Sequence, residues 1–279
     1  MVWLLGAGVL ALTLLLVERL LVSPEDQLTA EDLLALPQSR IKLTARLERY
    51  VMRFVDPPVR GETIEFFDGD ARIGSAVTDA RGFASIEVDA GPAGRRRFRV
   101  ATRRTDEALV VHVLSPGAPV LVVDLDHTLV DIGTTRFAFA ANRTIKPLEG
   151  AVDVAKRLSA RYEIAYLTAR DHSFLAKTRE WLRLQELPDG PVFLRRKRFW
   201  SQSSLDHKRG RLEELKRTHR LVAGVGDLPT DAKAYLANGM AAYLIDPRGA
   251  LPDMDGVVRV RTWKELEEKL SAKAGISTT

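Results

Sequence analysis

Val120-Leu121-Val122-Val123-Asp124-Leu125-Asp126-His127-Thr128 decides the reading of this chain. Four apolar residues in a row, rich in β-branched Val, describe a short strand buried on both faces, as in parallel sheets covered by helices. Side chains leaving a strand alternate between faces, so Asp124 and Asp126 point toward one site while Leu125 packs away. Two carboxylates held in one cleft repel and call for a cation. A hard divalent ion with oxygen ligands suits them, and Mg²⁺ fits best.

The pattern around this stretch is strand and helix in alternation. Ala151–Ala160 reads as helix, Glu163–Leu167 as strand, Ser173–Leu184 and Asp206–Lys216 as helices, and Leu221–Val225 as strand. Thr230–Leu236 follows as helix, Ala241–Ile245 as strand and Trp263–Leu270 as helix. The expected fold is therefore α/β: a Rossmann-like parallel sheet with helices on both faces. Ligands of such sheets lie beyond the carboxyl ends of the strands, so the residues there carry the chemistry. Thr168-Ala169-Arg170-Asp171 follows the second strand and offers a hydroxyl and backbone amides near a helix start, a seat for an anion. Lys208 supplies a mobile point charge from a helix. Asp227 stands at the end of the third strand in Gly226-Asp227-Leu228-Pro229-Thr230-Asp231, with Asp231 four residues on.

In this order, Asp124-Leu125-Asp126-His127-Thr128, Thr168, Lys208 and Asp227 with Asp231 resemble the four motifs of the haloacid dehalogenase superfamily, over roughly Val120 to Leu270. The resemblance implies that Asp124 is a nucleophile forming an aspartyl phosphate and that Asp126 is the acid and base. It implies that Mg²⁺ is held by Asp124, Asp227 and the Asp126 main-chain carbonyl, and that Thr168 and Lys208 bind the phosphoryl oxygens. Asp231 then orients Lys208 or a metal-bound water. Thr128, Ala169, Arg170, Arg195, Arg196 and Arg198 are the expected substrate contacts. An acid at Asp126 implies a phosphatase rather than a dehalogenase.

Within the superfamily the chain is most similar to lipin-type phosphatidate phosphatases. The likeness rests on Leu187-Pro188-Asp189-Gly190-Pro191-Val192, the basic and aromatic run Arg195 to Trp200, His207-Lys208, and Ile245-Asp246-Pro247-Arg248-Gly249. His127 departs from it, since that family usually has Gly there. The gaps Val130 to Leu167 and Asp171 to His207 leave no room for a large cap domain, and an open site suits a bulky or membrane-embedded substrate.

Toward the N-terminus the period changes. From Ile41 to Leu114 apolar residues alternate with polar ones, as in Ala84, Ile86 and Val88, and turn signals fall at Asp68-Gly69-Asp70, Asp79-Ala80-Arg81-Gly82 and Gly91-Pro92-Ala93-Gly94. A β-sandwich over residues 41–115 is expected, ending at Ser115-Pro116-Gly117-Ala118-Pro119 before a domain over 116–279. Gly61 to Val88 resembles bacterial immunoglobulin-like or transthyretin-like modules, which implies a spacer or docking role. Ser23-Pro24-Glu25-Asp26 carries helix-start signals, so residues 23–40 are expected to form a helical linker. Val2 to Val17 is uncharged, and residues 1–22 are long enough to cross a bilayer if Glu18 and Arg19 lie near its interface. We expect a single N-terminal transmembrane anchor with the body cytoplasmic, because Arg19, Arg40, Lys42, Arg46 and Arg49 follow the span.

Composition narrows the remaining classes. The 279 residues are 46% hydrophobic and 28% charged, values that exclude a disordered or fibrous chain. No Cys is present, which removes disulfide scaffolds, thiolate metal sites and cysteine nucleophiles. The net charge is +5, and Arg195 to Arg220 alone carries ten Lys or Arg against three acids. That concentration predicts an anionic partner close to Lys208: a phosphorylated lipid at an anionic membrane surface, in preference to nucleic acid. Two rival functions remain: a phosphatase of nucleic-acid phosphate ends, and a non-catalytic module that binds anionic lipid.

Overall fold

The computed structural model describes residues 25–50, 57–195 and 203–276. It divides into two compact units. The first comprises the segments up to Glu31, Ser39–Ala90 and Arg95–Val111; the second comprises Asp32–Gln38, Gly91–Gly94 and the chain from His112 onward. The expected anchor, residues 1–22, lies outside the described residues, among which no helix is long and apolar enough to cross a membrane.

Eight strands precede the α/β region: β1 (Glu25–Ala30), β2 (Leu33–Ala35), β3 (Arg40–Tyr50), β4 (Thr63–Asp68), β5 (Ala71–Val77), β6 (Phe83–Asp89), β7 (Gly94–Ala101) and β8 (Asp106–Val113). One sheet has the order β1-β3-β6, and another contains β8-β7-β4-β5. The period of two read from the sequence is realised here: Ile64 and Phe66 on β4, Phe98 and Val100 on β7, and Leu109 and Val111 on β8 are buried. The turn at Asp79 closes through its carboxylate, which accepts hydrogen bonds from the amides of Arg81 at 2.8 Å and Phe83 at 2.9 Å. These amide contacts hold the Asp79 carboxyl below its usual range.

The helical linker expected over 23–40 is not formed by its described residues. β1 pairs antiparallel with β3, placing Leu28 opposite Leu47 and Ala30 opposite Ala45, with Leu28 and Ala30 buried. Asp26, read as a helix-start acid, instead takes hydrogen bonds from Arg49 at 3.0 Å and Arg104 at 3.3 Å. A helix cap contributes about 1 kcal/mol, less than a fully paired strand with a buried face can offer.

The second unit is built on a six-stranded sheet in the order β11-β10-β9-β12-β13-β14, whose named pairs all run parallel. Its strands are β9 (Pro119–Val123), β10 (Glu163–Asp171), β11 (Val192–Arg195), β12 (Arg220–Gly226), β13 (Ala241–Ile245) and β14 (Val257–Val260). The helices are α1 (Thr134–Phe139), α2 (Ala151–Leu158), α3 (Leu175–Leu184), α4 (Ser204–Leu215), α5 (Pro229–Ala237) and α6 (Trp263–Ile276). Buried residues form two apolar clusters. Leu121, Val123, Trp181 and Trp263 belong to one, and Val120, Val122, Phe193 and Tyr235 to the other. Alternate residues of β9 thus feed separate clusters, as a strand covered on both faces requires. The strand order reverses about β9, so the cleft expected of a doubly wound sheet lies at the carboxyl end of that strand.

Three elements went unread in the sequence. β11 is only four residues long, β14 alternates like an edge strand, and α1 is a six-residue helix with no side-chain cap. Such short elements carry little periodicity of their own.

Candidate active site

The backbone amide of Asp124 donates to the Val225 carbonyl at 2.9 Å, so the first Asp emerges where β9 is tied to β12. The chain then folds back sharply: the Leu125 carbonyl accepts from the amides of Thr128 at 3.2 Å, Leu129 at 2.9 Å and Val130 at 3.1 Å. Leu125 is fully buried in the core, as its alternation required. His127 occupies the left-handed region, with φ 55°. This conformation is inexpensive for Gly and costs most other residues, His included, about 1–2 kcal/mol.

Asp124 and Lys208 meet at this strand end. Lys208, from α4, is 3% exposed; its Nζ lies 2.9 Å from Asp124 Oδ1 and donates to Asp231 Oδ1 at 2.6 Å. Ser203 caps α4 by accepting from the Asp206 amide at 3.1 Å, and the helix buries His207, Lys208, Arg211, Leu212 and Leu215. The spacing of one helical turn between Lys208 and Leu212 places the cation on the face turned inward.

Asp231 is committed on both oxygens. Oδ2 accepts from the amides of Asp227 at 3.2 Å and Leu228 at 3.1 Å, closing the first turn of α5 while Oδ1 holds Lys208. Gly226 makes room for this: a Cβ there would stand 2.6 Å from Asp231 Cβ and Oδ2. Gly226→Ala is expected to cost about 1–3 kcal/mol, the usual penalty for forcing atoms into a full space. A melting curve identical to the parent's would show that the loop yields without loss.

Carboxylate oxygens of Asp124, Asp227 and Asp231 lie within 4.8 Å of one another. Burial pushes the Asp124 carboxyl up to about 7, against the pull of Lys208. Asp227 is also pushed up to about 7, by burial first and then by the charge of Asp231. Among the same charges Lys208 is held above its ordinary value by Asp124 and Asp231 despite its burial. Three carboxylates with one ammonium leave an excess of negative charge in a desolvated site, the electrostatic condition for holding a hard cation.

The Asp126 carboxylate lies outside this group of three and belongs to a second network. Arg170 Nη2 donates to Asp126 Oδ1 at 2.6 Å and Arg170 Nε at 3.1 Å, while Thr134 Oγ1 donates to Asp126 Oδ2 at 2.6 Å. Arg170 is fully buried, its Nη1 donates to Thr178 at 3.1 Å, and its guanidinium stacks 3.5 Å over the Phe137 ring. Asp126 is near enough to the three carboxylates for its charge to add to the upward shift of Asp227, after burial and the charge of Asp231.

This arrangement corrects two expectations. Thr168, Ala169 and Arg170 do not follow β10 but lie within it, the strand running on to Asp171 after a register shift beyond Leu167. Arg170, expected to touch substrate, has its guanidinium occupied by Asp126 and Thr178. Thr168 is fully buried; its Oγ1 accepts from the Arg170 amide at 3.3 Å, and its carbonyl lies 3.1 Å from His207 Nε2. Burial pushes His207 down to about 4, so the ring is neutral and donates to that carbonyl. Thr128 is buried, with its hydroxyl unpartnered, and its carbonyl accepts from Trp263 Nε1 at 2.8 Å. Arg195 is buried at the end of β11. Arg196 and Arg198 lie outside the described residues. Thr134, Phe137 and Thr178, which cradle Arg170 and Asp126, had no signal in the sequence, since nothing local marks a partner 44 residues away.

Residues 121–245, less than half of the chain, match the family model described as PITM 1-3, LNS2 domain. The match agrees with a haloacid dehalogenase-like α/β domain over this segment. No curated protein matches the chain. Among solved structures, the chain is similar to the HAD-hydrolase YfnB from Bacillus subtilis bound to magnesium, at 12% identity and TM-score 0.41, over 56% of this chain and 99% of that one. A component of the Pnkp1/Rnl/Hen1 RNA repair complex aligns at 16% identity and TM-score 0.37, over 42% of this chain and 39% of that one. The titin M10–obscurin-like 1 immunoglobulin complex aligns at 16% identity and TM-score 0.22, over 34% of this chain and 98% of that one.

Proposed function

We propose that the second unit is a Mg²⁺-dependent phosphatase that forms an aspartyl phosphate and acts on a phosphatidate-like membrane lipid. The observation that carries the chemistry is the buried Lys208 bridging Asp124 and Asp231 beside Asp227. Asp124 attacks phosphorus as the ester oxygen leaves, and Asp126, which enters this step protonated rather than as the Arg170-paired carboxylate, gives that oxygen its proton. Asp126, now a carboxylate held by Arg170 and Thr134, then takes a proton from the water that attacks the phosphoaspartate. Phosphate departs, and both carboxyls return to their starting state. Lys208 binds a phosphoryl oxygen, and Asp231 keeps the Lys208 ammonium aimed and charged. Mg²⁺, held by Asp124, Asp227 and the Asp126 main-chain carbonyl, would neutralise charge on the transferred group. The N-terminal apolar segment anchors the chain at the membrane, and the sandwich serves as spacer.

A substrate panel tests the reading. Mg²⁺-dependent phosphate release from phosphatidate vesicles should exceed release from phosphorylated oligonucleotides. The reverse preference overturns the lipid assignment, and vesicle binding without release from any phosphate ester overturns the enzyme.

Protons and the cation compete for the same oxygens. Asp124 and Asp227, each pushed up to about 7, must be ionised to hold Mg²⁺, so saturating Mg²⁺ should raise the melting temperature more at pH 8 than at pH 6. Without the cation, these two raised carboxyls stabilise the fold at low pH, and that contribution is lost as pH rises through about 7. His207, lowered to about 4, acts oppositely: its contribution is present above the ordinary histidine value of 6.5 and lost as pH falls toward 4. A Mg²⁺-induced shift equal at both pH values would remove Asp124 and Asp227 as its ligands.

A further inference from the structure

The segment after the Asp126 loop has a side chain that the catalytic reading does not use. Phe139, at the end of α1, is 62% exposed. The backbone beneath it is nevertheless clamped. Thr134 at the start of α1 donates to Asp126, and Phe137 is fully buried beneath Arg170. Lys177 Nζ donates to the carbonyls of Ala138 at 3.2 Å and Ala140 at 2.7 Å. Asn142 Nδ2 donates to the Lys177 carbonyl at 2.9 Å and to Glu180 at 2.8 Å. The segment therefore holds Phe139 exposed on a fixed base, on the helix whose first residue, Thr134, bonds the proposed acid.

A second apolar side chain borders the same end of the sheet. Leu228, which directly follows Asp227, is 48% exposed. Among the described large apolar residues of this unit, Phe139 and Leu228 are the two most exposed; Leu228 adjoins Asp227, and Phe139 lies on the helix that begins at Thr134, the partner of Asp126. Along the segment itself, between the exposed Asp131 and Glu149, the charge has one sign. From Thr134 to Leu148 there is no Asp or Glu, while Arg136, Arg143 and Lys146 are all exposed. An exposed aromatic side chain on a segment whose own charges are all cationic suits the boundary between the headgroups and acyl chains of anionic lipid.

We propose that Thr134–Lys146 is a membrane-docking flap: Phe139 enters an anionic phospholipid surface, and Arg136, Arg143 and Lys146 contact its headgroups. Docking there would set the site against the lipid whose phosphate it takes. The inference rests on the lipid-phosphatase reading for the choice of surface, and its test reads contact rather than turnover.

The chain has no Cys, so Phe139→Cys in the full chain can carry one environment-sensitive fluorophore. Asp255→Cys, exposed and just before the edge strand β14, is the comparison. The protein is reconstituted in phosphatidylcholine vesicles with or without phosphatidate, each with a spin-labelled quencher lipid. With phosphatidate, the label at 139 should shift to the blue and lose at least about half its emission to the quencher, the response of a group entering an apolar phase. The label at 255 should stay aqueous. Adding Arg136→Glu and Arg143→Glu should return the label at 139 to its aqueous emission. Identical emission at 139 and 255 overturns the flap, as does insertion that persists after both charge reversals. Phosphate release is followed in parallel on the unlabelled parent chain. Its absence there overturns the phosphatase reading, while the label still decides docking.

Discussion

Replacing Lys208 by Met should lower the melting temperature by on the order of 10 °C at pH 8 and abolish phosphate release. The side chain is of similar length, so the loss is one of charge rather than of volume. Lys208 is the ammonium between Asp124 and Asp231, and both of those carboxylates are buried. Removing one partner of a buried pair leaves the other charge desolvated, at a cost of about 3–5 kcal/mol. The penalty should shrink toward pH 5, because Asp124 and Asp227, already pushed up to about 7, can then be protonated instead. A melting temperature unchanged at pH 8 would show that Lys208 does not compensate these carboxylates in solution.

Asp124→Asn should also abolish turnover but leave stability intact. Phosphate release should fall by at least about 10⁴-fold, the scale of losing a nucleophile. Stability at pH 8, measured without Mg²⁺, should equal or exceed that of the parent. The upward shift of Asp124 means that its surroundings disfavour the ionised form even with Lys208 beside it. A neutral amide of the same shape removes that cost wherever the parent residue is ionised, which is above about 7. Retained turnover would eliminate the covalent mechanism, and a large loss of stability would mean that the Lys208 contact outweighs the burial of Asp124. Together, the two variants separate charge compensation from chemistry: both should be inactive, and only Lys208→Met should be unstable.

The residues of β9 were legible because the strand is a continuous apolar run ending in Asp124, and such a run has few alternatives. The helix carrying Lys208 and the strand before Asp227 were legible for similar reasons, each being long or strongly patterned. The segment Glu25–Ala30 misled because its start carries helix-cap residues. Those signals act over four residues, while the pairing of Leu28 with Leu47 that overrides them depends on a strand nineteen positions away. The end of β10 misled in the same manner. The apolar run places Arg170 after the strand, but β10 continues through it, and the buried Arg170 guanidinium pairs with Asp126 and Thr178.

The sequence by itself determined which chemical groups stand near the carboxyl ends of the parallel strands, because apolar runs and alternation are local and set which side chains emerge there. Only the tertiary structure decided how those groups pair. Lys208 is shared by Asp124 and Asp231, Asp126 is gripped by Arg170 and Thr134, and Phe139 is left exposed on the helix that begins at Thr134. Ion pairing depends on distances of about 3 Å between residues far apart in the chain, and the close packing of the surrounding core sets those distances.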